Sequence, residues 1–357
     1  MDFSIASILA LDGLTNGAIY GLLALALVLV FAVTRAIFIP QGEFVAYGAL
    51  TLAMLRNGNA VGSVWQDLGD LPGTVWLLLA LALIVAVLDL LQLRTRGLPL
   101  STGLRDTART LAMPVLVLLV CWFGGPRDWP LWAQSLLTLA IVTPLGPLIY
   151  RLAYEKVADA TVLVLLIVSV GVHFAMTGIG LVFFGAEGFR NPPFWEVRFS
   201  IGPIMLSGQT IIIFAASLVL IAALALFFER TLRGKALRAT AVNRLGARLM
   251  GISSAGAGRL SFSLAAFIGA LSGLLIGPTT TIFYDSGFLI GLKGFVAAIF
   301  GGLASYPLAA IGAVFVGLLE SFSSFYASAF KEVIVFTLIL PVLLWRSFQH
   351  GHEDEEE

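Results

Sequence analysis

ERTLRGKALRATAVNRLGARLMGISSAGAGR, residues 229–259, is the longest polar interruption in an otherwise apolar chain. It carries seven of the 21 Lys and Arg residues: Arg230, Arg233, Lys235, Arg238, Arg244, Arg248 and Arg259. Only Glu229 opposes them, and no further acid follows before Asp285. A short loop this basic, between two apolar segments, is held on the cytoplasmic side of a membrane. Ala, Leu, Arg and Met favour helix, while Gly234, Gly246 and Gly251 punctuate it. The pattern predicts two short helices at the membrane surface. Their apolar residues do not gather on one clean face, so the stretch reads poorly as an amphipathic anchor. On composition alone, the plain reading is a loop that sets topology and meets only lipid headgroups.

The rest of the chain fits that frame. Of 357 residues, 59% are hydrophobic and 12% charged, about half the charged share of a soluble domain. Such a chain cannot cover its own surface in water, which makes it a polytopic membrane protein. A net charge of zero gives no sign of a nucleic-acid partner. The single Cys121 excludes an internal disulfide and a cysteine-based metal cage. The N-terminus has no basic region ahead of its first apolar stretch, so no cleavable signal peptide is expected.

Residues 14–34 give a first span of about the 20 residues a bilayer requires, with Gly17 and Gly21 at a spacing that permits close helix contact. Residues 36–55 are apolar but broken early by Pro40, Gln41, Gly42 and Glu43, as discontinuous helices are. A mixed loop with Asp67 and Asp70 follows. Residues 75–93 span, then Arg94, Arg96, Arg105 and Arg109 form a second basic loop. Residues 110–124 are a short crossing. Residues 131–150 span again, with Pro144 and Pro147 expected to kink the far end. Further apolar segments cover 161–184, 209–228, 260–278, 287–303, 308–326 and 333–346, and an acidic tail, 350–357, ends the chain. The near-neutral stretch 185–203 reads as a loop.

These are eleven apolar segments, some doubtful as full crossings. With 229–259 inside and strict alternation, 15 Lys and Arg fall on the cytoplasmic side and five outside. That bias puts the N-terminus outside and the C-terminus inside. The fold expected is all-α, a polytopic transmembrane helical bundle of about 8–11 membrane segments, some short or discontinuous. A faint internal echo links Gly42-Glu43-Phe44-Val45-Ala46 to Lys293-Gly294-Phe295-Val296-Ala297 through a shared F-V-A core, and internal repeats are common in transporters.

Three blocks carry a family resemblance: NGAIYGLLALALVLVFAV with QGEFVAYGAL (16–33 and 41–50), GKALRATAVNRLGARLMGI (234–252), and GLKGFVAAIFGGLASYPLAAIGAVFVGLLES (291–321). A fourth, weaker block is LIYRLAYEKVADATVLVLLIVSVG (148–171). In this order they resemble the permease subunits of branched-chain amino acid ABC importers, a family that also includes urea and amide importers. The resemblance implies a single transmembrane permease domain over 1–357 in a bacterial inner membrane. It implies two cytoplasmic ATPase subunits, a related sister permease, a periplasmic substrate-binding protein and a small-molecule substrate. It also implies that 229–259 is the coupling loop, with Arg233, Lys235, Arg238, Arg244, Arg248 and Gly251 on the surface that meets the ATPase. The chain departs from the family in three places. Phe38-Ile39-Pro40-Gln41-Gly42-Glu43 stands where an Asn-Phe-Ala-His-Gly-Glu pattern is usual. Asn243 and Gly246 stand in a region that normally includes acids. Residues 75–124 are longer than the family requires and read as an added helical hairpin.

No nucleotide-binding loop, HExxH or GxSxG motif is present, so no enzyme activity, cofactor or metal is expected of this chain. ATP hydrolysis, if coupled, belongs to partner subunits. Ions within apolar segments are costly and each asks for a reason. Gln41, Glu43, Lys293 and His173 are the candidates for a substrate path. Glu43 has two open readings, lining the path or capping a half-helix. Lys293 has three: meeting a substrate carboxylate, pairing with Glu43, or snorkelling to the interface, the last expected. His173 is expected to serve mainly as an interhelical hydrogen-bond partner. Asp89 and Glu320 are expected near segment ends, facing water. An ion-coupled secondary carrier is the alternative class, but it requires titratable groups deep in the bundle, and the sequence offers few.

Overall fold

A computed structural model of the chain describes residues 3–58, 71–95, 100–201 and 204–350. The Asp67 and Asp70 loop, Arg96 and the acidic tail beyond His350 lie outside the described residues. The first long helix, α1 (Phe3–Thr34), starts eleven residues ahead of its apolar run. A non-helical link then leads to α2 (Gln41–Asn57). After these come α3 (Gly73–Thr95), α4 (Leu100–Gly124), α5 (Leu131–Val142), α6 (Leu145–Ile149) and α7 (Val162–Phe184). A small antiparallel pair, β1 (Arg198–Ile201) and β2 (Ile204–Ser207), precedes α8 (Gly208–Arg230). The second half holds α9 (Leu232–Val242), α10 (Arg244–Leu249), α11 (Ser254–Ile276), α12 (Ser286–Phe300), α13 (Tyr306–Tyr326), α14 (Lys331–Thr337) and α15 (Ile339–His350).

Among the described residues, seven helical stretches are long and apolar enough to cross a membrane, and Thr110–Gly124 and Ser286–Phe300 are shorter apolar helices. The all-α polytopic bundle is therefore the observed fold. It departs from the sequence reading in the β1–β2 pair at the end of the 185–203 stretch, with Arg198 opposite Ser207 and Ile201 opposite Ile204, and in the last apolar segment, 333–346, which is split between α14 and α15.

The core is built on α1, whose apolar window is 78% buried, against 17% for α7 and α8 at the periphery. Lipid supplies no hydrophobic drive between helices, so small residues that let backbones approach must hold the bundle. Gly17 fits this rule: a Cβ there would lie 2.9 Å from the Val314 Cα of α13. The spacing read from the sequence is thus used, between α1 and α13.

The broken entry to α2 also appears as expected. Arg35, at φ 61°, turns the chain out of α1. Ala36 and Phe38 are buried without helical structure. The helix restarts at Gln41, directly behind Pro40. Phe38 packs on Phe262 of α11 at 4.5 Å between ring centroids. Gly42 meets Gly287 and Gly291 of α12 so closely that no side chain fits between them. The helices α2 and α12 therefore cross backbone to backbone. The expected proline kink lies in the span Leu131–Val157. There α5 stops before Pro144, α6 follows, and residues 150–154 form a π-helical turn.

Candidate functional site

Two places carry the sequence-derived residues: the surface formed by α9 and α10, and a buried polar group around the start of α2.

The α9–α10 surface is shaped by three successive helix caps. Thr231 Oγ1 accepts from Gly234 N (2.9 Å), Asn243 Oδ1 from Gly246 N (2.8 Å), and Ser253 Oγ from Gly256 N (3.1 Å). Each satisfies an otherwise orphaned amide at a helix start. Gly251, at φ 82°, reverses the chain between α10 and α11, a conformation costly for any residue with a Cβ. The expectation of two short helices therefore holds. Leu237 of α9 packs with Leu29 and Val33 at the end of α1 and with Ala257 of α11, which fastens the pair to the bundle.

The charged residues of this surface divide in two. Arg244 Nη1 donates to the Ala158 carbonyl (2.8 Å), and its Nη2 lies 3.5 Å from Asp159 Oδ1. Arg248 Nη2 donates to the same Asp159 oxygen at 2.7 Å, and its Nε to Ser254 Oγ at 2.7 Å. Arg259 forks onto Glu155, at 2.7 and 3.0 Å. Glu229 is therefore not the only acid opposing the basic stretch; Glu155 and Asp159 reach it from a distant segment. Arg233, Lys235 and Arg238, by contrast, have no carboxylate partner among the described residues. Around them Leu232 and Val242 are each 86% exposed, and Leu245, Leu249 and Met250 are also exposed. Lys235, Arg238, Asn243 and Met250 help line an open cleft of about 590 Å³ between α9 and α10.

The buried group starts at α2. Gln41 and Glu43 are both 0% exposed. Gln41 Nε2 donates to the Ala265 carbonyl of α11 at 3.0 Å. Glu43 Oε1 lies 2.9 Å from His173 Nδ1 of α7. This makes His173 the interhelical partner that the sequence suggested. Gln41 Oε1 and Glu43 Oε2 are buried without a protein hydrogen-bond partner. The His173 ring lies 4.8 Å from the ring of Phe288 on α12. Phe288, with Leu27, Phe38, Ile39, Leu166 and Phe295, lines an apolar cavity of about 270 Å³ against the α2–α12 crossing.

Lys293 corrects the sequence reading. It does not snorkel and does not meet Glu43. It is 5% exposed, and its Nζ donates to Glu320 Oε1 of α13 (2.5 Å) and Glu332 Oε1 of α14 (3.1 Å). Tyr20 of α1 donates to the other Glu320 oxygen at 2.5 Å. With two carboxylates within reach inside the bundle, pairing costs less than carrying the ammonium past α13 and α14 to an interface. Glu320 is likewise buried rather than water-facing. Asp89 is half-buried and held by Arg151 at 2.5 and 2.7 Å. The sequence carried no signal for these partners: the pairs Tyr20–Glu320 and Arg151–Asp89 join positions far apart along the chain.

The sequence model described as "Branched-chain amino acid transport system / permease component" matches residues 9–343. The high-affinity branched-chain amino acid transport system permease protein BraD of Pseudomonas aeruginosa is 28% identical over 216 residues. That alignment covers 58% of this chain and 70% of BraD. The permease protein LivH of Escherichia coli, described in the same words, is 27% identical over 238 residues, covering 64% of this chain and 77% of LivH. Among solved structures, a chain of PsaBC from Streptococcus pneumoniae in complex with Fab aligns over 93% of this chain and 89% of its own length. Its identity is 10% and its TM-score 0.36, a likeness too distant to carry a fold or a function.

Proposed function

This chain belongs to the family of branched-chain amino acid transport system permease components. From that membership we propose that it is one permease subunit of an ATP-driven importer for branched-chain or related amino acids in a bacterial inner membrane. Two cytoplasmic ATPase subunits, a related sister permease and a periplasmic binding protein complete the machine. The N-terminus faces the periplasm and the C-terminus the cytoplasm. Residues 75–124, in which α3 and α4 pack on each other, are an addition to the family's common core.

The observation that carries this reading is the α9–α10 surface. Three cations without acidic partners among the described residues, Arg233, Lys235 and Arg238, stand among large exposed apolar side chains. A lipid surface asks for one apolar face and one basic face, and this pair of helices mixes the two. A protein partner with a mixed apolar and acidic groove fits better. Arg244 and Arg248, already held by Asp159, shape the surface rather than offer free charge to the partner. The substrate reading draws support from the α2 start. An apolar cavity beside Gln41, Glu43 and His173 suits an aliphatic side chain with a charged backbone end. Urea or a short amide is the alternative cargo, and the apolar lining of the cavity disfavours it.

The test is charge reversal at Arg233, Lys235 and Arg238 together. The chain should still reach the membrane, while ATPase co-purification and uptake both fall at least tenfold. Normal assembly and uptake in that variant would remove the docking role.

A further inference from the structure

Four arginine hydrogen bonds from the second half of the chain end on one short segment. Arg244 holds the Ala158 carbonyl, Arg248 holds Asp159, and Arg259 grips both oxygens of Glu155. We propose that residues 150–159 are the lever through which the α9–α10 surface moves the helices that hold the Glu43–His173 pair. This inference rests on reading α9–α10 as the ATPase-facing surface.

The first support is energetic. The side chain of Asp159 is 69% exposed and that of Arg248 is 42% exposed. Ion pairs this open to solvent contribute little to stability, so fold stability does not account for the Asp159 pairs, while the less exposed, bidentate Arg259–Glu155 pair anchors the same segment to α11. What they do is fix the position of residues 155–159 relative to α10 and the start of α11.

The second support is the geometry behind the charges. Residues 150–154 are π-helical and 155–157 are 3-10 helical. Short departures from α-helix of this kind concentrate at functional hinges. Tyr150 and Tyr154 lie parallel, with an interplanar angle of 2°. Both rings contact Phe262 of α11, at 4.9 and 4.8 Å.

The third support is where the aromatic group leads. Tyr154 meets Phe38 edge-on at 5.9 Å, and Phe38 stands three residues before Gln41. The Tyr154 hydroxyl donates to Ser169 Oγ of α7 at 2.9 Å, and Ser169 lies one helical turn before His173. A shift at Asp159 is thus passed, through close-packed rings, to both elements that carry the Glu43–His173 pair. Packed cores respond to such shifts by switching arrangement rather than by bending. Contiguity alone does not demonstrate coupling, so the test perturbs the lever and reads the coupling itself.

The complete transporter, with its ATPase and binding protein, is reconstituted in liposomes carrying the double variant Asp159→Ala, Glu155→Gln. Uptake and ATP hydrolysis are measured in the same vesicles. The ATPase should co-purify as with the unaltered chain and hydrolyse ATP at a rate within about twofold, while solute moved per ATP falls at least tenfold. Asp159→Glu, which keeps the carboxylate, should restore most of that ratio. If the double variant does not reach the membrane, Asp159→Asn carries the same readout. An unchanged ratio of uptake to hydrolysis would overturn the lever. So would loss of ATPase co-purification, which would assign residues 155–159 to docking. Failure of the docking reading is separate: it shows as normal assembly when Arg233, Lys235 and Arg238 are reversed.

Discussion

Replacing Lys293 with methionine removes the buried cation that Glu320 and Glu332 share and leaves the side-chain volume nearly unchanged. Lys293 is 5% exposed and Glu320 is 8% exposed, so Glu320 would be left as a buried charge held only by the Tyr20 hydroxyl. Breaking a buried pair from one side costs about 3–5 kcal/mol. Glu332 adds little to this, because a third of its side chain reaches solvent and its charge is screened there. Glu320→Gln alone should cost less, about 1 kcal/mol, since Lys293 keeps Glu332 and Tyr20 keeps an acceptor. The double variant Lys293→Met, Glu320→Gln removes both charges and should cost only about 1 kcal/mol. The coupling energy in the cycle is then about 3–5 kcal/mol. Equilibrium unfolding of the solubilised chain in mixed detergent, run on all four proteins, measures it. Additive costs, or a Lys293→Met cost below about 1 kcal/mol, would refute the view that Glu320 depends on this lysine.

Three further outcomes are expected. Gly42→Leu should prevent stable accumulation in the membrane, because its Cβ would enter the Gly287 backbone. Gly171→Leu on the open face of α7, where a Cβ meets nothing within 4 Å, should leave the subunit's own stability unchanged; expression and detergent melting of both variants check this. His173→Leu leaves Glu43 Oε1 without its partner at 0% exposure and should cost about 1–3 kcal/mol in the same unfolding assay. Asn243→Ala removes the α10 cap at a local cost of about 1 kcal/mol, read as faster hydrogen exchange over 244–250 with α11 unaffected.

The spans were legible because a bilayer fixes their length and composition, and Pro40 with Gln41-Gly42-Glu43 marked the broken start of α2. The two surface helices were legible from Gly punctuation, although the caps Thr231 and Asn243 would have marked their starts more directly. Ion pairing was not legible. Lys293, Glu320 and Glu332 come together on three helices, and local sequence carries no trace of which charges will face one another across a bundle. Asp159 and Glu155 likewise lie 89 and 104 residues from Arg248 and Arg259, which hold them. The β1–β2 pair escaped for a different reason. RFSI and IMLS are each four residues long, too short for alternation to separate strand from loop. The glycines behaved as their spacing implied, since close approach is the main means by which helices associate in lipid.

The most direct measurement is the sidedness and occupancy of α10. With Cys121, buried in the bundle, replaced by serine, Leu245→Cys places a thiol at an exposed position between Asn243 and Arg248. A membrane-impermeant maleimide should label it in inverted vesicles stripped of the ATPase, fail to label it in intact spheroplasts, and lose access when the ATPase is added back. Labelling from outside the cell, or labelling that the ATPase does not block, would contradict the assignment of this surface.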